Sequence, residues 1–422
     1  MSNLILHADS EGADSQAIRG MRGARQLVDP TRPAAFFCEP EATAQGRVEQ
    51  VATLFLVNRE CPFTCIYCDL WKQTTVTTVS AGEILGQIDL ALSGLPPARH
   101  IKLYNAGNFF DRQAIPVEAW PGIADRVCGF ETVIVENHPR LLGADCLRFR
   151  DLLHESWARG PRSQRDCVER PRPTHPGETR SSPPASRRNP GHQETDADST
   201  ECDRPQRESG VPNQAATEDD EAKFASTSRP KAGASGTHSP VAIGVAEKLG
   251  GGTGGATLQE TGWPAQPPVL EVAMGLETIH PEVLPRLNKQ MTPEDFRRGV
   301  QFLRNAGMEA RAFVLLQPPY LPADDAVEWA LRSMEFAFDA GVRVVAVIPT
   351  RGGNGWLEGL ALRGEFSPPT LAQLGEVLRR GLAMGRGRVF VDLWDAERLS
   401  PGGVEPALEL ALLRQWNLTQ GR

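Results

Sequence analysis

Hydrophobic residues along the chain follow two alternating periods. Short β-branched-rich runs at residues 51–57, 101–104, 132–136, 269–275, 312–316 and 344–348 read as buried strands, with residues 389–392 as a candidate seventh. Helical patterns separate them. Ser80-Ala-Gly-Glu83 is a capping box that opens a helix carrying Ile84, Ile88, Leu90 and Leu92. Helices are expected at 116–127 and 140–153. Thr292-Pro-Glu-Asp295 starts another, with an N-cap hydroxyl, proline in the first turn and two acids, and Gly307 ends it. Further helices are expected at 324–340, 370–384 and 406–416. Strands alternating with helices predict a parallel α/β fold, whose sites lie at the C-terminal ends of the strands. The pattern alone does not separate a partial barrel from a doubly wound sheet.

The fourth strand is the most informative. Leu270, Val272, Met274 and Leu276 share one face, and Glu271, Ala273, Gly275 and Glu277 the other. In a barrel the apolar set must lie under the helices. The small and acidic set then faces the lumen, with Glu277 nearest the functional end.

Composition changes this picture in two places. Residues 1–50 show no convincing period and read as an N-terminal extension. From 155 to 267 large apolar residues are sparse, while Pro, Ser, Thr, Gly, Arg and Glu abound. Such a tract buries too little surface to offset its ordering entropy, so it reads as a long, disordered insertion between the third helix and the fourth strand. Gly250-Gly-Gly-Thr-Gly-Gly255 lies inside it, without the strand before or the Lys-Ser/Thr after that a phosphate loop needs. The expected layout is therefore an extension (1–50), a first half (51–154), the insertion (155–267), a second half (268–400) and a C-terminal helix (401–422). A net charge of −8 gives no bulk basic surface for nucleic acid. The N-terminus lacks the pattern of a signal peptide, and no apolar run is long enough to span a bilayer, so no membrane partner is expected.

The chemistry concentrates in Cys61-Pro-Phe-Thr-Cys65-Ile-Tyr67-Cys68, directly after the first strand. Three thiolates spaced C-x3-C-x2-C can hold three irons of a [4Fe-4S] cluster and leave the fourth open. Structural zinc is the competing reading, but it wants a fourth ligand, and the first histidine downstream is His138. Thiolates reserved for metal need a reducing compartment, which predicts a cytoplasmic protein. The other cysteines, at 38, 128, 146, 167 and 202, have no cluster spacing.

This stretch, with an aromatic residue before its last cysteine, resembles the cluster loop of the radical S-adenosylmethionine (SAM) superfamily. The resemblance implies a partial (βα)6 barrel built from the two ordered halves. It also implies a [4Fe-4S] cluster on Cys61, Cys65 and Cys68, and SAM chelated to the open iron. Reductive cleavage of SAM would give a 5′-deoxyadenosyl radical that abstracts hydrogen from substrate, with the electron drawn from a donor such as flavodoxin or ferredoxin. Leu276-Glu277-Thr278 with His280-Pro281, then Leu287-Asn288-Lys289, and Phe313-Val-Leu-Leu-Gln-Pro-Pro resemble one branch. That branch holds elongator-catalytic-subunit-like enzymes and the radical SAM partner of archaeosine synthase. A modified tRNA nucleoside is then the expected substrate class, a small molecule the alternative. A non-catalytic metal-binding interaction protein is the reading from outside enzymes.

Around the cysteines, Tyr67 and the turn Ala106-Gly107-Asn108 after the second strand are expected to line the SAM site. The superfamily usually has Gly-Gly-Glu at that turn. Glu136, at the tip of the third strand, either binds the SAM ribose or substrate or caps the next helix. Glu277 is a candidate for the ribose hydroxyls. Arg311 is a candidate for the SAM carboxylate or for pairing with a lumen acid. The Gly-rich stretch Thr350–Gly355 is a candidate substrate contact. No residue is assigned as catalytic, and oligomeric state is left open.

Overall fold

The computed structural model describes residues 14–161, 262–399 and 406–422. Eight strands form one sheet in chain order: β1 (Ala35–Ala42), β2 (Val48–Phe55), β3 (His100–Tyr104), β4 (Thr132–Glu136), β5 (Val269–Glu277), β6 (Glu309–Leu316), β7 (Val344–Pro349) and β8 (Arg388–Val391). β1 and β2 are antiparallel, and every later neighbour is parallel. The main helices are α1 (Ser15–Met21), α2 (Ala81–Gly94), α3 (Trp120–Val127), α4 (Ala144–Ala158), α5 (Val283–Arg286), α6 (Pro293–Asn305), α7 (Ala326–Ala340), α8 (Trp356–Leu362), α9 (Leu371–Ala383) and α10 (Pro406–Thr419). The capping boxes expected at Ser80–Glu83 and Thr292–Asp295 are both formed, and α7 ends at Gly341 in the left-handed conformation.

The sheet is curled into a half-barrel. β1 and β6 are five strands apart, about 24 Å if the sheet were flat. Yet Arg311 on β6 donates to Glu41 on β1 at 2.7 Å. Outward-facing Leu54, Leu103, Val135, Val272, Met274, Val314 and Val347 pack with the helices in one continuous core. The inward face carries charge: Lys102 reaches Glu41 at 2.6 Å and Glu39 at 3.0 Å, and Arg311 reaches Glu271 at 2.5 Å. Above this layer Phe37, Phe55, Tyr104 and Phe313 run ring to ring across the lumen, with centroids 5.8–6.2 Å apart. Among the described residues no helix is long and apolar enough to cross a membrane.

Two features depart from the expected layout. Residues 35–50 are not a featureless extension, because β1 and the start of β2 form there. The period is hidden because the inward positions of β1 carry Phe37, Glu39 and Glu41, suited to a charged lumen. Pro40 is accommodated because β1 is an edge strand. The parallel run also has seven strands, β8 included, where six were clearly legible. Most of the tract expected as an insertion, residues 162–261, lies outside the described residues, with Cys167, Cys202 and the glycine run. Its two flanks meet: Trp157 Nε1 on α4 donates to the Pro264 carbonyl at 3.0 Å.

Burial alone would push the Glu41 carboxyl up, but Arg311 and Lys102 overcome it and hold it well below its ordinary value of 4.5. A depressed carboxyl stabilises the fold fully above about pH 4.5 and loses that contribution as pH falls below it. Arg311→Met should therefore cost about 3–5 kcal/mol at pH 7, by leaving Glu271 without its ion pair and Glu41 with Lys102 alone. The gap to wild type should narrow in acid, where Glu41 of the variant protonates. Urea denaturation at pH 7 and pH 4 checks this; an equal gap at both would refute it. Because the flanks meet, replacing residues 162–261 by a short Gly/Ser linker should leave the thermal midpoint within a few degrees of wild type. Loss of a cooperative melt would show the tract to be part of the fold.

Candidate functional site

The cysteine loop leaves the C-terminal end of β2 and is held by groups far apart in sequence. Ile66 N–H donates to the Leu287 carbonyl at 3.1 Å, and the Ile66 carbonyl accepts from Asn354 Nδ2. Asn288 Nδ2 donates to the Thr64 carbonyl at 3.0 Å and to Thr64 Oγ1 at 2.8 Å. The Leu287-Asn288-Lys289 segment is thus a dock for the loop. Asn288 occupies left-handed backbone there, which asparagine tolerates better than most residues.

Lys289 turns inward. Its Nζ lies 2.7 Å from Glu277 Oε1, with both side chains nearly buried. A β-bulge between Gly275 and Glu277 folds Glu277 back over Gly275. A Cβ at Gly275 would collide with the Glu277 carboxylate and the Lys289 ammonium, so a side chain there would displace the buried pair. Burial works against the Lys289 charge, but Glu277 and the Cys65 thiol favour it, and its pKa is raised. The Tyr67 hydroxyl hydrogen-bonds with Glu277 and lies beside the Cys65 thiol.

The three cysteines lie close enough to influence one another's ionisation. Burial raises all three thiols, Cys61 to about 11. Opposing it, Lys289 favours the thiolates of Cys61 and Cys65, and Asn108 Nδ2 donates to Cys61 Sγ at 3.2 Å. Gly107 passes so close that a Cβ there would stand 3.3 Å from Cys61 Cβ. Buried thiols that need a nearby cation before they ionise suit a metal or an iron–sulfur cluster, whose positive charge would complete the neutralisation. Three thiols on one loop are thus a donor set whose chemistry suits such a group, and their sulfurs do not all lie within 4.8 Å of one another.

The neighbouring loops are engaged with each other. Glu136 Oε1 accepts from the backbone N–H of Asn105 at 2.7 Å and of Gly107 at 3.4 Å, so the carboxylate shapes the turn after β3. Ala106 at the centre of that turn has φ +48°, an unfavourable conformation for alanine. Burial still raises the Glu136 pKa, against the pull of these N–H groups. Asn108 Oδ1 accepts from His138 N–H at 2.7 Å. His138 stacks on Phe63 of the cysteine loop, centroids 3.9 Å apart. Its Nδ1 accepts from Arg140 N–H at 3.2 Å and its Nε2 lies 2.9 Å from the Lys289 carbonyl. This pattern requires the neutral ring with the proton on Nε2. Burial, then the Lys289 charge, lowers its pKa to about 3, so it is a structural link and no proton carrier near neutrality.

The fold brings Tyr67, Ala106, Gly107, Asn108, Glu136 and Glu277 together around Cys61, Cys65 and Cys68. Arg311 is elsewhere. It sits near the start of β6, paired with Glu271 and Glu41, so of its two expected roles the structure realises the pairing with lumen acids and not a place beside the cysteines. Its side chain borders a cavity of about 460 Å³ at the opposite, N-terminal end of the barrel. In the stretch after β7, Arg351 is paired with Asp392 at 2.7 Å, and Asn354 both docks the cysteine loop and accepts from Trp356 and Leu357 N–H at the start of α8. Asn288 and Lys289 were missed as site residues, and Asn354, expected within a substrate-contacting stretch, instead holds the cysteine loop. The first two were visible only as part of a motif whose role the fold supplies.

No protein-family model matches the chain, and no curated protein matches it. Among solved structures it is similar to the archaeal Methanocaldococcus infernus Elp3 with an N-terminal deletion of residues 1–46, at 12% identity and a TM-score of 0.41. The match covers 81% of this chain and 59% of that one, so the chain spans under two thirds of its length.

Proposed function

We propose that this protein is a radical SAM enzyme of the elongator-like branch, with Cys61, Cys65 and Cys68 holding a [4Fe-4S] cluster. One observation carries the reading. Three cysteines of one short loop lie at the C-terminal end of a parallel half-barrel, beside a buried ammonium, and the loop is docked by the Leu-Asn-Lys segment. A cluster held by these cysteines together with SAM would supply one-electron cleavage of SAM, with the electron from a donor such as flavodoxin or ferredoxin, as the chemistry for taking a hydrogen from substrate. The chain's own residues prepare the site. Lys289 and Asn108 offset the charge of the thiolates. Glu277 keeps Lys289 ionised and aimed inward. Glu136 holds the turn of Ala106, Gly107 and Asn108 against Cys61. Phe37, Phe55, Tyr104 and Phe313 form a layer of rings between this end of the barrel and the charged layer below. The substrate class is proposed as a modified tRNA nucleoside, on the branch motif alone. Mass spectrometry of tRNA nucleosides from cells lacking the protein tests that assignment.

Anaerobically reconstituted protein should absorb broadly near ~400 nm and consume SAM on reduction. Cys68→Ala should lose the band while Cys167→Ala keeps it. A colourless, zinc-loaded wild type would overturn the assignment. Lys289→Met leaves Glu277 buried without its cation beside three thiols. It should cost about 3–5 kcal/mol in denaturant melts of the metal-free protein, and cluster content after reconstitution should fall. Unchanged iron content and stability together would remove Lys289 from the site.

A further inference from the structure

The segment from Ser15 to Gln26 carries no motif, yet it touches the cysteine loop before, within and after the three thiols. Ahead of them, Arg22 Nη1 pairs with Glu60 Oε1 at 2.5 Å, and Arg25 Nη2 pairs with the other Glu60 oxygen. Glu60 is bonded directly to Cys61. Within the loop, Thr64 Oγ1 donates to Ser15 Oγ at 2.7 Å, and Ile18 of α1 is buried in a small cluster with Ile66, Leu284, Leu287, Leu315 and Leu321. Past the loop, Arg25 Nη1 donates to the Trp71 carbonyl at 2.6 Å and to Thr74 Oγ1 at 2.5 Å, and Gln26 N–H donates to the Lys72 carbonyl at 3.0 Å. The Arg22 guanidinium lies over the Trp71 ring, 4.8 Å from its centroid. At the far edge, Gly355 passes so close to the Met21 carbonyl that any side chain there would collide with it.

We infer that residues 15–26 are a strap that holds the cysteine loop in its metal-binding shape, with Arg25 acting through Glu60 as its main positioning residue. A single guanidinium joins the residue before the first cysteine to two residues after the last. It therefore reinforces from outside the backbone pairing of Asn58 and Glu60 with Thr75, at 2.9 and 3.1 Å, that joins the two ends of the loop. The strap is separate from the main core. That core's residues begin at Phe36, and Ile18 is the one buried apolar side chain of α1. Releasing the strap should therefore loosen the loop without unfolding the barrel. The inference rests on the cysteine loop being the metal site, but its test needs no metal.

The experiment is site-resolved alkylation of the metal-free, full-length protein with iodoacetamide, read by mass spectrometry. Cys146, a fully buried residue of α4 outside the site, is the internal reference. In Arg25→Ala, alkylation of Cys61, Cys65 and Cys68 should speed up roughly tenfold, the gain expected when a part-buried multidentate contact no longer restrains local opening. Arg25→Lys should recover part of the protection, and Ile18→Ala should act in the same direction as Arg25→Ala. Cys146 should be unaffected in all three. Unchanged rates at the three loop cysteines would overturn the inference. So would an equal rise at Cys146, which would mean general loosening. Failure of the cluster reading itself is seen separately, as a wild-type protein that takes up no iron.

Discussion

The Arg311–Glu41 pair across the lumen is the interaction on which the rest of the architecture turns. A parallel sheet left flat would spread the ends of β2 and β6 some 20 Å apart. Curling it forces the inward side chains together, and here the inward positions carry Lys102 and Arg311 against Glu39, Glu41 and Glu271. Burial makes such charges costly alone, so they demand partners, and the Arg311–Glu41 pair joins strands distant in sheet order. The charged layer thus disfavours an open sheet. The core outside the strands favours the curled form through ordinary apolar packing.

The curl sets up the chemistry at the other end. With the C-terminal strand ends converged, the loops after β2, β3, β4, β5 and β7 are near enough to bond one another. They form a closed set of contacts: Asn108 links Cys61 to His138, His138 links Phe63 to Lys289, and Asn288 and Asn354 hold the cysteine loop. Left-handed backbone at Ala106, Glu277, Asn288 and Gln317 clusters at this end. Such strain survives only where surrounding contacts over-determine the conformation, and it marks the mouth of the barrel as the place where geometry has been kept at a cost in stability.

The electrostatic plan of the two ends differs. At the lower layer, acids and bases neutralise each other, which suits a structural role. At the mouth, the Glu277–Lys289 pair is balanced in itself, and burial holds the neighbouring cysteines toward the neutral thiol form, so ionising them takes added positive charge.

Much of this was legible in the chain alone. The strand runs, the capping boxes at Ser80 and Thr292, the C-terminal stop at Gly341 and the two faces of the strand from Val269 to Glu277 are local signals. They survive because local propensity and tertiary environment agree there. The C-x3-C-x2-C spacing marked the site, since three thiols within eight residues can converge on one metal with little help from the fold. What the tertiary structure decided were the partners. Inward acids on β1 disguised a strand, because an interior that is charged inverts the usual alternation. Arg311 could be read toward either end of the lumen until the curl brought Glu41 beside it. Lys289 and Asn354 lie in stretches the sequence singled out and the strap from Ser15 to Gln26 does not, but none of their roles was readable locally, because each meets the cysteine loop from elsewhere in the chain, and only the closed half-barrel brings them within reach.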